Sequence, residues 1–270
     1  MRGENQATVQ STSAGGQTGL VALGSAHQQR LLLANNVITN GRPTESAALT
    51  APTSGSHLEQ FAAALRERRP KTYERLIKPL TDRVLSALLI LLLSPAMAVI
   101  YVAVLIAVGR PAIFRQVRVG RNGRTFSMLK FRTMTPDRRS RTEPYIGPER
   151  RVTHKSANDP RHTHLGRWLR KTSLDELPQL INVVRGQMSL VGPRPELADL
   201  IERYAPWQQT RHVVKPGVTG LWQTTERGEG RLLHECIELD LLYISRLSFP
   251  RDVVILARTP LALLRNKGVI

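Results

Sequence analysis

The clearest feature of the hydrophobic and polar pattern is an apolar run at residues 84–108, VLSALLILLLSPAMAVIYVAVLIAV, which contains no charged residue. A run longer than about 18 residues is typical of a membrane helix, and this run lacks the polar face of a soluble core helix. Ser94-Pro95 lies near its middle, where proline removes a backbone hydrogen bond. Both flanking segments are rich in Lys and Arg, and basic flanks of a membrane helix stay on the cytoplasmic side. The pattern predicts a re-entrant membrane helix over residues 79–110, broken at Ser94 and Pro95.

Two segments before this run differ in periodicity. Residues 1–55 are rich in Ser, Thr, Gly, Gln and Ala and show little periodicity, which predicts a disordered polar tail. Residues 56–78 have apolar positions at helical spacing together with several cations, which predicts an amphipathic basic helix. Residues 111–270 then form the candidate cytoplasmic domain.

The pattern after the apolar run predicts a β-hairpin followed by short helices. Asn122-Gly123 between two stretches of strand-like sequence is a strong hairpin signal. A polar, Arg-rich segment at 135–158 predicts a mobile loop. The last two helices have one apolar and one basic face, so they are expected either at the membrane interface or packed in a helical core. The predicted helices cover residues 164–172, 178–186, 196–207, 233–247 and 249–268.

Charge is the strongest compositional feature. The chain of 270 residues has 39 Lys and Arg against 21 Asp and Glu, a formal net charge of +18, and all of the excess falls within residues 66–270. Such a domain is expected to bind a polyanion, an anionic membrane surface or a phosphorylated substrate. Cys236 is the only cysteine, which excludes an intramolecular disulfide and a cysteine-based zinc site.

The segment RKTSLDELPQL places Asp175 and Glu176 side by side close to Arg170. One interpretation is structural, because Ser173 followed by Glu176 matches a capping box at a helix N-terminus. The other is catalytic, because an ionised carboxylate can attack phosphorus directly and form an acyl-phosphate. Phosphoryl transfer otherwise needs positioning, a divalent cation and basic side chains. Two adjacent carboxylates suit Mg²⁺, and Arg194, between two prolines, can bind phosphate bidentately.

Four motifs, KFRTM, DPRHTHLGRWLRKTSLDELPQLINVVRGQMSLVGPRPE, KPGVTGLWQ and ELDLLYI, follow the Ser-Pro-containing apolar run in this order. Together they closely resemble the bacterial sugar transferase family, the monotopic phosphoglycosyl transferases that start glycan assembly on polyprenol phosphate. The resemblance covers about residues 74–268 and predicts the small catalytic core type with an N-terminal extension. It implies a mainly helical α+β fold, a re-entrant hairpin helix, amphipathic interfacial helices and a small β-hairpin.

The resemblance also implies an activity and a set of site residues. The expected reaction transfers a phosphosugar from a nucleotide diphosphate-sugar, a UDP-sugar by preference, to undecaprenyl phosphate through a covalent intermediate on Asp175. Glu176 would assist in metal binding or acid–base work, and both carboxylates would bind Mg²⁺. The positions expected to bind substrate or phosphate are Lys130 and Arg132 in KFRTM, Arg170, Arg194 in PRP, and Asp240 in ELDLLYI. After GLWQ the sequence departs from the family pattern, so either Arg227 or Arg231 could contact the nucleotide.

Two rival functions remain open at this point: a membrane-tethered basic binding protein, and a membrane phosphatase that uses an aspartyl-phosphate. Nucleic acid is not an expected partner, because the basic stretches lack repeated aromatic residues on which bases could stack. Anionic membrane lipids are expected partners, and a homodimer is left open. The expected location is the cytoplasmic face of the bacterial inner membrane.

Overall fold

A computed structural model describes residues 55–135, 161, 163–225 and 233–265. The predicted polar tail up to residue 54, the loop predicted at 135–158 apart from Thr135, and both Arg227 and Arg231 lie outside the described residues.

Within the described residues the protein is mainly helical with a small β-hairpin, as predicted, and it has a second two-stranded sheet that was not predicted. The α-helices are α1 (Gly55–Glu67), α2 (Lys78–Ala107), α3 (His164–Thr172), α4 (Gln179–Val184), α5 (Ala198–Ile201), α6 (Pro206–Gln209), α7 (Leu221–Thr225), α8 (Ile237–Ser245) and α9 (Phe249–Arg265). The strands are β1 (Ile113–Val119), β2 (Thr125–Phe131), β3 (Ser189–Val191) and β4 (Gly217–Thr219). Short 3₁₀ turns span Leu174–Glu176, Thr210–Val213 and Leu233–Glu235.

The segment predicted as one basic helix over residues 56–78 is divided in two. Helix α1 ends at Glu67, and Pro70 follows in the gap, where proline disfavours helical backbone for the residue before it. A π-helical turn at Tyr73–Ile77 then continues directly into α2.

The apolar run forms part of the single long helix α2, with Pro95 inside it. The helical backbone continues across Ser94 and Pro95, so the interruption predicted at this dipeptide is not present. Because proline has no N–H, the carbonyl of Leu91 loses its usual helical donor. The Ser94 hydroxyl donates to that same Leu91 oxygen at 2.8 Å. The side chain before the proline therefore replaces the missing backbone bond.

One side of α2 packs against the same domain in both halves of the helix, whereas its other side is exposed. Near the N-terminal end Asp82 and Ser86 are buried, and Leu89 and Ile90, just before the midpoint, pack against the main hydrophobic core. Near the C-terminal end, Val104 is fully buried in a second core that includes Leu169 of α3. Between these contacts the side chain of Leu92 is 74% exposed. By length and composition the helical stretch Tyr73–Ala107 could cross a membrane.

The β-hairpin predicted from Asn122-Gly123 is confirmed. Strands β1 and β2 pair antiparallel from Val119 opposite Thr125 to Ile113 opposite Phe131. Asn122 and Gly123 have φ of 55° and 75°, the left-handed conformation that a tight hairpin turn requires. The turn ends β1 beside a single bridge from Val119 to Glu196.

Strands β3 and β4 form a parallel pair that the sequence did not predict. Their backbones approach so closely that a Cβ at Gly217 would collide with the backbone of Gly192. Gly192 immediately follows β3, so this close packing fixes the start of the GPRP turn.

The two C-terminal helices differ in their surroundings. Helix α8 is buried, with Leu239, Leu241 and Ile244 at most 1% exposed, because it lies in the main core. The prediction of an interfacial α8 is therefore wrong, and its core alternative is right. Helix α9 keeps an exposed apolar side that includes Phe249 and Leu264. The helix predicted over residues 196–207 is also divided, because Pro206 begins α6 as a separate helix.

Candidate active site

The carboxylates of Asp175 and Glu176 lie on a short 3₁₀ turn between α3 and α4. Helix α3 begins at a Thr163 cap, whose hydroxyl accepts from the Gly166 N–H at 2.9 Å, and ends where Ser173 adopts a left-handed conformation with φ of 56°. The predicted capping box is wrong: Ser173 makes no side-chain cap bond, and its hydroxyl is buried without a hydrogen-bond partner in the described part of the chain. The chain reversal at Ser173 directs both acids into the domain.

The Glu176 carboxylate is bound by two cations from different elements. The Lys130 ammonium on β2 lies 3.0 Å from Glu176 Oε1. The Arg194 guanidinium, on the turn after β3, lies 2.9 Å from Oε1 and 3.5 Å from Oε2 in a forked arrangement. Glu176 is 7% exposed, so these pairs are shielded from water. The structure thus brings together three of the predicted site residues.

Asp175 has a different electrostatic environment from its neighbour. Burial, followed by the negative charge of Glu176, raises the pKa of the Asp175 carboxyl to about 6. The charges of Lys130, Arg170 and Arg194 act in the opposite direction. Burial lowers the pKa of the Lys130 ammonium, whereas Glu176 raises the pKa of Arg194. The result is a buried acid pair that added positive charge would stabilise in its ionised form.

Two other predicted residues lie on the same side of the domain. The Arg170 side chain, at the end of α3, donates from Nε to the Thr133 hydroxyl at 2.9 Å. Its positive charge lowers the pKa of Asp175. Arg132 directly follows β2, and its backbone N–H donates to the Ala112 carbonyl at 2.8 Å. A substrate-binding role for the half-buried Arg132 side chain stays a prediction.

Asp240 is not brought to the acid pair. It is 2% exposed on α8 and forms an ion pair of 2.8 Å with Arg211, which is 1% exposed. Burial raises the pKa of the Asp240 carboxyl to about 6, against the opposing effect of Arg211. The same Arg211 nitrogen donates to the backbone carbonyl of Arg194 at 2.6 Å. Asp240 thus supports the GPRP turn indirectly, because it pairs with Arg211, a residue that the sequence analysis missed.

The GPRP turn is also held by a cation from the β-hairpin. The Arg118 guanidinium on β1 donates to the Pro195 carbonyl at 3.3 Å and lies 3.7 Å from Glu196. In the sequence Arg118 counted only as one cation of a basic flank, so no signal distinguished it from its neighbours. Arg211 and Arg118 together fix the backbone carbonyls of Arg194 and of the residue after it.

This arrangement suits the binding and transfer of a phosphorylated group. Half-buried cations from three elements surround two buried carboxylates, and they can balance charge on phosphate oxygens. Among the described residues no cluster of three or more His, Cys, Asp or Glu could hold a metal ion. A metal here would therefore have Asp175 and Glu176 as its protein ligands and would complete its coordination with substrate phosphate and water, which is the coordination that Mg²⁺ favours.

Comparison with known proteins gives a consistent family. The profile of the bacterial sugar transferase family matches residues 73–266. The UDP-galactose-lipid carrier transferase of Erwinia amylovora is 41% identical over 205 residues, which are 73% of this chain and 42% of that protein. The UDP-glucose:undecaprenyl-phosphate glucose-1-phosphate transferase of Escherichia coli (strain K12) is 41% identical over 192 residues, 68% of this chain and 39% of that protein.

A shorter relative is matched over most of its length. The uncharacterized sugar transferase EpsL of Bacillus subtilis (strain 168) is 38% identical over 196 residues, which are 72% of this chain and 90% of that protein. The chain spans less than half the length of the Erwinia and Escherichia relatives. The family match covers most of the chain and all of the site residues described above. The chain therefore belongs to the bacterial sugar transferase family.

Proposed function

We propose that the protein transfers a phosphosugar from a UDP-sugar to undecaprenyl phosphate, which initiates the assembly of an exopolysaccharide, capsule, O-antigen or glycoprotein glycan. The names of the relatives support the donor and the acceptor, since they include a UDP-galactose-lipid carrier transferase and a UDP-glucose:undecaprenyl-phosphate glucose-1-phosphate transferase. The activity is that of a phosphoglycosyl transferase.

The main structural support is the unequal treatment of the two adjacent acids. Glu176 is neutralised by direct contact with Lys130 and Arg194. Asp175 is equally buried, but no carboxylate–cation pair to it is formed by the described residues. An acid held by two cations is suited to positioning, and an acid without such a pair keeps its oxygens available for attack. Asp175 is therefore assigned as the nucleophile and Glu176 as the orienting residue.

The reaction proceeds in two displacements at the same phosphorus. An Asp175 carboxylate oxygen attacks the phosphorus that bears the sugar, the bond from that phosphorus to the bridging oxygen breaks, and UMP leaves with the electron pair. The phosphate oxygen of undecaprenyl phosphate then attacks the phosphosugar on Asp175. The acyl-phosphate bond breaks, the carboxylate is regenerated, and undecaprenyl diphosphate-sugar is released.

The cations of the site stabilise the charge that develops in both steps. Arg194 is fixed at its backbone by Arg211 and Arg118, so its guanidinium needs little reorganisation when phosphate enters. Lys130 is positioned by the paired strand β2. Arg170 is oriented by its bond to Thr133. These three residues are proposed to contact the donor diphosphate.

Mg²⁺ is proposed as the cofactor, with Asp175 and Glu176 as its protein ligands. The fit rests on the raised pKa of Asp175, because a nearby divalent cation would favour the ionised pair. When bound, the ion would neutralise charge on the diphosphate of the donor. The chain's own residues supply the nucleophile, the orientation and the remaining positive charge.

The chain is proposed to be monotopic, with residues 79–110 as a re-entrant segment at the cytoplasmic face of the bacterial inner membrane. Support comes from the contacts of Leu89 and Val104, in the first and second halves of α2, with one domain. The other side of the helix between them exposes apolar side chains, including Leu91, Leu92 and Val99, and a surface of that kind is typical of a membrane contact. The exposed apolar side of α9 would lie at the same interface.

The covalent step is tested by intact-protein mass spectrometry after brief incubation with Mg²⁺ and a panel of UDP-sugars. The wild-type protein should gain the mass of one phosphosugar, and that mass should disappear when undecaprenyl phosphate is added. Asp175→Asn should gain no mass, because the amide lacks the charged attacking oxygen. Glu176→Gln is the matched neighbouring control: it should slow the reaction without moving the site of attachment.

The other outcomes separate the rival functions. Repeated UMP release, beyond one equivalent per protein, that needs no lipid acceptor would favour a phosphatase, and no release with any donor would favour a binding protein. A folded Asp175→Asn protein with near wild-type turnover would refute the assignment of Asp175 as nucleophile.

A further inference from the structure

A second polar site lies away from Asp175 and Glu176, where α2 begins. It is a small cleft between the start of α2, the β-hairpin turn, strand β3 and the segment before β4. Its charged and polar lining includes Lys78, Asp82, Arg121, Ser189, Lys215 and Tyr243. No residue of the proposed catalytic set lines this cleft, so the reaction does not explain its composition.

The carboxylates around the cleft already have partners. Lys78 Nζ lies 2.6 Å from Asp252 and 3.6 Å from Asp82. Asp82 also accepts a hydrogen bond of 2.6 Å from the Ser189 hydroxyl. Glu74, at the edge of the cleft, pairs with Arg68 at 2.8 Å. Each carboxylate around the cleft therefore contacts a cation, although Asp82 and Asp252 share Lys78.

The positive charge is not balanced in the same way. Lys215 and Arg121 line the cleft, and Arg83 is near enough to act on Lys215. Within the described ranges of the chain, none of these three cations has a carboxylate within 4.0 Å. Burial lowers the pKa of the Lys215 ammonium, and the charges of Arg83 and Arg121 lower it further, against the effect of Asp82. Three neighbouring cations without a contacting carboxylate among the described residues, opposed by Asp82 at longer range, form a site for an anion.

The position and size of the cleft identify the kind of anion. Lys78 and Asp82 precede the apolar run at 84–108 by less than two helical turns, and Leu80 beside them is 63% exposed. A cleft at this level would lie at the depth of lipid headgroups. Its volume is about 30 Å³, whereas one water needs roughly 10–15 Å³. That space admits part of a phosphate group.

We propose that this cleft binds the phosphate group of an anionic membrane lipid, with Lys215 and Arg121 as its ligands. The inference rests on the proposed membrane insertion of α2, but it does not depend on the proposed chemistry at Asp175. The bound headgroup would bridge the hairpin turn and the start of β4. It would thereby fasten the domain to the membrane beside the base of α2.

The test uses the full chain in detergent with equal amounts of phosphatidylglycerol and phosphatidylcholine, and native mass spectrometry measures which lipid stays bound. The wild-type protein should retain one phosphatidylglycerol in preference to phosphatidylcholine. Lys215→Gln combined with Arg121→Gln should reduce this preference about tenfold or more, because it removes two charged contacts to one phosphate. The matched control is Arg115→Gln combined with Arg124→Gln, which removes two exposed cations from the same hairpin outside the cleft.

Each outcome decides the inference. Equal losses in the two double variants would indicate diffuse surface attraction, and no loss in either would leave the cleft without a ligand; both results refute the proposal. Displacement of the lipid by inorganic phosphate, but not by chloride at equal ionic strength, would assign the site to free phosphate and also refute it. Asp175→Asn should lose transferase activity and keep its lipid, which separates this inference from the proposed function.

Discussion

Removal of the buried cation Arg211 should have a large effect on stability. In Arg211→Met, the carboxylate of Asp240 would stay buried at 2% exposure without its ion-pair partner at 2.8 Å. The loss of one partner from a buried ion pair costs about 3–5 kcal/mol. For a domain of this size, about 2–4 °C in melting temperature corresponds to each kcal/mol, so the expected decrease is roughly 6–20 °C.

A second substitution should restore most of that stability. In Arg211→Met with Asp240→Leu, both charges are absent, and replacement of a buried pair by apolar residues of similar total volume is often neutral. The double variant still lacks the donor that binds the Arg194 carbonyl at 2.6 Å. We therefore expect a melting temperature near that of the wild type but slower UMP release in the first half-reaction.

The two effects are measured separately, by thermal unfolding in detergent and by a single-turnover assay of UMP release. Arg203→Gln, an exposed cation on the same domain, is the control and should alter neither quantity. If Arg211→Met unfolds at the wild-type temperature, the pair does not stabilise the native state. If the double variant is stable and fully active, Arg211 does not position Arg194.

Three further predictions concern the acid pair, the apolar helix and the support of β2. The rate of UMP release should rise with pH through about 6 and then level off, because attack needs the ionised form of Asp175. Glu176→Gln should move this rise to lower pH in a rapid-quench profile, because it removes a charge that raises the pKa of Asp175. An unchanged profile would contradict the assignment of Asp175 as nucleophile. Pro95→Leu should restore the missing backbone donor and favour a spanning helix. In sealed vesicles, a cysteine placed after the apolar run should then be labelled from the opposite side of the membrane, and unchanged labelling would contradict this prediction. Asn182→Ala should destabilise the protein by about 2–4 kcal/mol in thermal unfolding, because this buried amide forms hydrogen bonds with two backbone groups of β2. A change below 1 kcal/mol would be about the size of an ordinary surface effect and would show that Asn182 does not support β2.

Local signals allowed part of the fold to be predicted. Asn122-Gly123 specified its turn because both residues must adopt left-handed backbone, which few other residue pairs tolerate. Gly186, with φ of 76°, ends the helical segment that begins near Pro178, for the same kind of steric reason. The motif containing Asp175 and Glu176 identified the site because both acids and their cations are close in sequence or belong to recognisable motifs.

Features that depend on distant contacts were not predictable. The left-handed Ser173 has no local sequence signal, since serine rarely adopts that conformation, and tertiary packing enforces it here. Strands β3 and β4 have three residues each, too short for any periodicity. Arg211 lies in a segment of mixed composition, and its pairing with Asp240 appears only after α8 has packed into the core.

The attachment of both halves of α2 to one domain has a consequence for how the protein responds to its membrane. A helix that crosses a bilayer must tilt or shift when the hydrocarbon layer becomes thicker or thinner. In the proposed re-entrant arrangement, a segment that contacts one domain at Leu89 and again at Val104 follows a single leaflet surface instead. Leu169 packs in the same core as Val104, and α3 leads directly to Asp175, so protein packing would set the height of this proposed nucleophile above the lipid. Turnover should then be nearly independent of the acyl-chain length of the surrounding lipids.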